Sequence, residues 1–324
     1  MNPDGRRSTN PAGVVTLHFG IYVPPVAWSY EEMLRRARHV EDLGFESFWM
    51  FDHVASAMTH DAPVLEPWTI ATALLANTTR LRVGHMVLCA TFRHPALLGK
   101  MATALDIVSD GRFNFGIGSG SSEPEHVRLG IPWRNLAYRS ELLEETLEIV
   151  TRMFTGEPTT YEGKHFQVTE LANVPPPVQQ PRPPVYVGGI GEKRTLPLVA
   201  RFADVWNVPF RALGELAPKS EALDAECVAI GREPQSIRRS LEAVMIIAPD
   251  DASLAEARAK GERRYPGTRW GLDEGGYVGT PNAIVDRIGE HVEMGFEEFV
   301  FYPYDQDDPA AIELLASEVL SQLR

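Results

Sequence analysis

Residues Leu43–His53 read LGFESFWMFDH, and the fold can be worked out from this stretch. Gly44 stops whatever precedes it, Ser47–Phe51 follow as an apolar run, and the run ends in a polar pair, Asp52-His53. A strand without polar alternation is covered on both faces, the condition of a parallel strand packed between helices and a core. Upstream, Thr16–Val23 (TLHFGIYV) reads as another strand. Ser29-Tyr30-Glu31-Glu32 then forms a capping box, opening a helix with Met33, Ala37 and Val40 on one face, which Gly44 closes. The unit is therefore strand, helix, strand.

The alternation continues along the chain. Leu81–Leu88, Arg112–Ile117, Pro184–Gly188, Asp204–Val208, Leu241–Ala248 and Glu298–Tyr302 read as six further strands. Helical patterns fall at Pro67–Asn77, Pro95–Val108, Tyr138–Met153, Arg194–Phe202, Leu213–Ile230, Ser253–Arg264, Pro281–Met294 and Pro309–Leu323. Eight strands, each followed by helix, predict an α/β fold, a single (β/α)8 TIM barrel. Between strands four and five the rhythm breaks over Thr155–Pro184, a Pro-rich insertion with a hairpin. Met294-Gly295-Phe296-Glu297-Glu298-Phe299 repeats the pattern of Leu43–Phe48, so both segments are turns from helix into buried strand. The rival fold, an open doubly wound sheet, wants Gly-x-Gly-x-x-Gly after its first strand. The nearest match, Gly116–Ser121, follows the fourth strand and lacks the last glycine, so the dinucleotide reading is rejected.

The 324 residues are 44% hydrophobic and 23% charged, enough apolar material for a large core without metal or disulfide support. A net charge of −13 argues against nucleic acid or anionic membrane as partner, since both reward a basic face. The expected partner is a small molecule. Cys89 and Cys227 form neither a ligand cluster nor a disulfide framework, which fits a reducing compartment, the cytoplasm. The polar, Pro/Gly-rich start predicts a flexible tail over residues 1–14, ahead of one domain over 15–324.

In a β/α barrel reactive groups come from the C-terminal ends of the strands. Strand two ends in Asp52-His53, whose side chains point to opposite sides, so one faces the mouth and the other packs behind. His53 can move a proton near neutral pH and Asp52 can accept hydrogen bonds from a ligand; alternatively the pair caps the strand and ties down the following loop. The glycines of Gly116-Ile117-Gly118-Ser119-Gly120-Ser121 suit backbone lying against something flat, or a tight turn. After strand five, Gly188-Gly189-Ile190-Gly191-Glu192-Lys193-Arg194-Thr195 opens a helix beside two cations, a ready anion site. Arg93 and His94 read as capping or surface residues, with Pro95 in the first helical turn. Glu123 and His126 are reserve candidates for moving a proton. Gly-x-Ser-x-Gly, Gly-Lys-Ser/Thr, His-x-x-x-His and Cys-x-x-Cys are all absent, so no metal site is expected.

Taken together, Glu41–His53, Phe92–Leu98, Asp110–Phe113, Gly116–Gly120, the prolines before strand five, Gly188–Gly191 and Phe202–Asn207 resemble, in order, the bacterial luciferase-like monooxygenase superfamily. Asp52-His53 and Arg93-His94-Pro95 most resemble its branch of coenzyme F420-dependent oxidoreductases. The resemblance implies a hydride-transferring enzyme that uses coenzyme F420, with FMN and a monooxygenase activity as the alternative and a non-catalytic flavin-binding barrel as a second. It implies that His53 is catalytic and that Asp52 contacts the cofactor. It also implies a bulge at Met86–Val87 behind the ring, often with a non-proline cis bond, and ring or tail contacts from Gly118, Ser119 and Ser121. The phosphate would be held by Gly188, Gly189, Gly191, Glu192 and Arg194, and the protein would be a homodimer. Two departures stand out. Sugar-phosphate dehydrogenases of this branch have glutamate at Ser121 and tryptophan at Ala57, which puts sugar-phosphate oxidation in doubt.

Overall fold

The computed structural model describes residues 16–55, 62–264, 276–306 and 308–323. The tail expected over 1–14, and Ala57, lie outside these residues. Eight strands pair side by side in parallel: β1 (His18–Tyr22), β2 (Ser47–Met50), β3 (Arg82–His85), β4 (Phe113–Gly118), β5 (Val185–Gly188), β6 (Val205–Val208), β7 (Arg238–Ile247) and β8 (Glu298–Pro303). β8 then pairs back onto β1, with Glu298 opposite His18 and Phe301 opposite Ile21. The expected closed β/α barrel is therefore the fold, and closure removes the exposed edges an open sheet would carry.

Local chemistry explains the turns. Ser29 Oγ accepts from the Glu32 N–H at 3.2 Å and starts the helix Tyr30–Asp42. Gly44 and Gly295 adopt φ of 85° and 92°, the left-handed conformation that ends a helix and feeds a strand. Phe48 and Met50 of β2 face the helices, whereas Trp49 and Phe51 face the interior. Trp49 fills the middle of the barrel, its Nε1 donating to Ser47 Oγ at 2.7 Å. Its neighbours on β1 and β3 are Gly20 and Gly84, where a Cβ would stand 2.9 Å and 2.6 Å from the indole. Below it, Glu298 accepts from Tyr186 Oη at 3.2 Å and pairs with Arg238 at 3.3 Å, a buried polar floor.

The structure differs from the sequence reading at several places. The third strand is split: β3 ends at His85, the Met86–Val87 peptide is cis, as the resemblance implied, and Leu88–Cys89 resumes pairing with β4. Gly118 and Ser122 lead into a short helix, Glu123–Leu129, that periodicity alone did not show. The hairpin expected in the insertion is present, with Thr159–Glu162 antiparallel to Gln167–Leu171. A further short strand, Tyr277–Gly279, runs beside the end of β7. Among the described residues no helix is long and apolar enough to cross a membrane.

Candidate active site at the barrel mouth

Continuing the alternation of β2 puts His53 on the mouth side and Asp52 behind it. His53 Nδ1 donates to Glu125 Oε2 at 2.6 Å, and the ring stands edge-on to Phe51. The other oxygen of Glu125 accepts the Val54 and Ala55 N–H groups at 2.8 and 3.2 Å. Burial would raise the Glu125 carboxyl, but the His53 hydrogen bond and charge, with the two N–H groups, outweigh it and hold it below the ordinary range. An acceptor-only carboxylate on Nδ1 fixes the imidazole tautomer and leaves Nε2 as the nitrogen not engaged by Glu125. Glu125 was not singled out from sequence, although its neighbours Glu123 and His126 were. The usable signal was Pro124 at the start of a helix and Gly130 just beyond its end, which together mark that helix.

Asp52 is buried, and both its oxygens are engaged. Arg93 grips it bidentately at 2.6 and 2.8 Å, and the Cys89 N–H donates at 2.9 Å. Arg93 also reaches Glu66 at 3.0 Å and lies over the Trp68 ring, so it is neither cap nor free surface as expected from sequence. His94 does cap its helix, accepting from the Ala96 N–H. Asp52 thus ties the end of β2 to the turn after β3, which sets the position of the Met86–Val87 peptide.

Val87, half-buried at the mouth, is walled by bare backbone. A Cβ on Gly118 or Gly188 would fall 2.7 or 2.8 Å from its methyl groups. Met86 Sδ meets Asn207 Nδ2 at 3.5 Å on the adjoining wall. Ser119 is half-buried and Ser121 exposed along the same rim. Behind them runs a buried chain: Cys89 Sγ lies 3.0 Å from Thr91 Oγ1, Thr91 lies 2.6 Å from His126 Nε2, and His126 Nδ1 donates to the Ser122 carbonyl at 2.7 Å. Both nitrogens of His126 are therefore engaged away from the mouth. Burial pushes the Cys89 thiol up to about 11, despite its bonds to Thr91, so it stays protonated. Arg139, 8% exposed, stacks on Trp133 at 3.6 Å, and its Nε lacks an acceptor.

After β5 the chain turns through Gly189, at φ 123°, whose carbonyl accepts from Trp206 Nε1 at 2.8 Å. The Gly191 carbonyl gathers the N–H groups of Arg194, Thr195 and Leu196, so those first helical donors close the turn themselves. The backbone left for an anion is the loop before them, 190–193. Glu192 pairs with Lys219 at 2.7 Å, while Lys193 and Arg194 stand exposed at the helix start.

Comparison with known proteins agrees with this fold. The family model described as luciferase-like monooxygenase matches residues 13–269. An F420-dependent glucose-6-phosphate dehydrogenase of Microbacterium testaceum is 28% identical, the match covering 96% of this chain and 98% of that protein. An F420-dependent hydroxymycolic acid dehydrogenase of Mycobacterium tuberculosis is 25% identical over 94% of this chain and 88% of its own length. Among solved structures, the coenzyme F420-dependent tetrahydromethanopterin reductase of Methanopyrus kandleri superposes with a TM-score of 0.79 at 20% identity, covering 96% of this chain and 100% of that one. The chain belongs to the luciferase-like monooxygenase family.

Proposed function

We propose that this protein is an F420-dependent oxidoreductase, moving a hydride between the deazaflavin coenzyme and a small organic substrate. The observation that carries the reading is the His53–Glu125 pair at the end of β2, beside the backbone-walled surface around Val87. Gly118 and Gly188 let the Val87 methyl groups lie directly against their backbone, an arrangement that suits a planar ring system resting on Val87. Met86, Val87, Gly118, Ser119 and Ser121 would hold the ring and its chain. Gly188, Gly189, Gly191, Glu192 and Arg194 would hold the phosphate, while Asp52, expected to contact the cofactor, would act on it only through the turn it anchors, because Arg93 and the Cys89 N–H occupy its oxygens. When bound, the coenzyme supplies the hydride-accepting or hydride-donating carbon. His53 takes the hydroxyl proton of an alcohol at Nε2, or returns it to a carbonyl oxygen, while Glu125 keeps Nδ1 protonated and the ring aligned. The names of the two curated relatives support the choice of coenzyme.

Cytoplasmic location is part of the same proposal, supported by the buried, unbridged Cys89 and Cys227. A homodimer is supported by the exposed apolar Leu97 and Val108 on the helix Pro95–Val108. The functional test is spectroscopic. Oxidised F420 with a panel of alcohols, and reduced F420 with the matching carbonyls, should show the deazaflavin chromophore bleaching or returning. No change with F420, alongside oxygen uptake with reduced FMN, would replace this reading with a monooxygenase.

A further inference from the structure

A cavity of about 210 Å³ opens between the ends of β7 and β8 and the helix Asp251–Arg264. Its walls are Met245, Ile246, Tyr304 and Ala311, with Ala257 and Gly261 from the helix. An apolar cavity of about 150 Å³ is enough to take up benzene. The space exists because the helix presents small residues one turn apart. At Gly261 a Cβ would stand 2.8 Å from the Tyr304 ring and 3.1 Å from Ile246, so the helix lies close down on the barrel end. The rim charges exclude an anion. Lys260 is paired with Asp305, Ser253 bonds to Asp250, and Glu256 adds a negative charge. A phosphate or carboxylate would meet repulsion without a new cation, whereas an uncharged apolar group loses only its water. Ile246 and Tyr304 also belong to the inner apolar cluster that includes Tyr22 and against which Phe51 and Val87 pack, so one apolar cluster reaches from the cavity to the mouth.

We propose that this cavity holds the alkyl or aryl tail of the substrate, making that substrate an uncharged, apolar-tailed alcohol or ketone rather than a sugar phosphate. The assignment of the tail to a substrate rests on the F420 reading above. On oxidation, the carbinol C–H bond breaks and its electron pair leaves as hydride to the deazaflavin. The O–H proton passes to His53 and the C=O bond forms; reduction is the reverse.

The test uses hexan-2-one with the full-length, cofactor-free protein, read by saturation-transfer NMR. Ala257→Leu and Ala311→Leu fill the cavity from opposite walls, and melting curves establish that each folds. The wild type should bind, with the strongest transfer to the chain-end methyl, and each folded variant should bind at least tenfold more weakly. A wild type that does not bind hexan-2-one, or folded variants that bind it as tightly, overturns the proposal. F420 affinity, measured on the same three proteins, should be equal in all. A wild type that binds hexan-2-one but not F420 overturns the cofactor reading and leaves the apolar site standing.

Discussion

Replacing Glu125 separates its structural role from its chemical one. Glu125→Ala removes the acceptor for three donors: His53 Nδ1 and the Val54 and Ala55 N–H groups. A hydrogen bond to a charged group is worth about 1.5–3 kcal/mol and a neutral one about 0.5–1.5. The His53 side chain is 26% exposed, so water takes over part of the loss, and about 2–4 kcal/mol is expected. For a chain of this size that is a fall of about 3–6 °C in Tm. Glu125→Gln keeps an oxygen for the two backbone donors but turns an amide N–H toward His53, which must then accept at Nδ1 and carry its proton on Nε2. Stability should fall by only about 0.5–1.5 kcal/mol. Alcohol oxidation needs a bare Nε2, so its turnover should fall about 10²–10⁴-fold, the usual share of general base catalysis. The depressed Glu125 carboxyl adds stability above its unfolded value, near 4.5, and loses it as the pH falls through the lower folded value. The Tm gap between wild type and Glu125→Ala should therefore shrink as the pH falls below about 5. Melting curves and steady-state alcohol oxidation decide the matter. A Glu125→Gln enzyme with normal turnover would refute the idea that Glu125 sets the His53 tautomer.

Three further outcomes follow from the geometry. His53→Ala should lower turnover about 10²–10⁴-fold with little change in cofactor affinity; near-normal turnover with a lowered Tm would make His53 structural. Gly191→Leu should fold, because the nearest atoms to its Cβ belong to Thr195, with Oγ1 at 3.0 Å, yet lose cofactor binding, since a side chain would cover the 190–193 backbone. Unchanged affinity in that variant would make the loop a plain turn. Gly84→Ala should cost at least about 1–3 kcal/mol, because its Cβ would lie 2.6 Å from the Trp49 ring and 2.7 Å from the Asn114 carbonyl. An unshifted denaturant midpoint would show that Trp49 has room to move.

The barrel was legible because its strands are buried on both faces and its turns carry local signals, as at Ser29 and Gly44. The Asp52-His53 pair was legible because strand ends are where barrels keep their chemistry. What stayed hidden needed contacts between distant segments. Glu125 meets His53 across 72 positions of sequence, and nothing local distinguishes it from Glu123. Arg93 looked like a capping residue because its partner, Asp52, lies 41 positions away. Gly118 reads as backbone lying against something flat and Gly188 as part of an anion site, but the structure shows that each also makes room for Val87. The glycine loop after β5 was read as a set of helical donors, yet the Gly191 carbonyl takes three of them. The cavity beside β7 depends on how closely one helix lies on Tyr304, which no periodicity encodes.

The central claim is the identity of the coenzyme, and equilibrium binding tests it most directly. Titrating the cofactor-free protein with F420 and, separately, with FMN, each followed by its own fluorescence, should give tighter binding of F420. FMN binding at micromolar or better, with no detectable binding of F420, would contradict it.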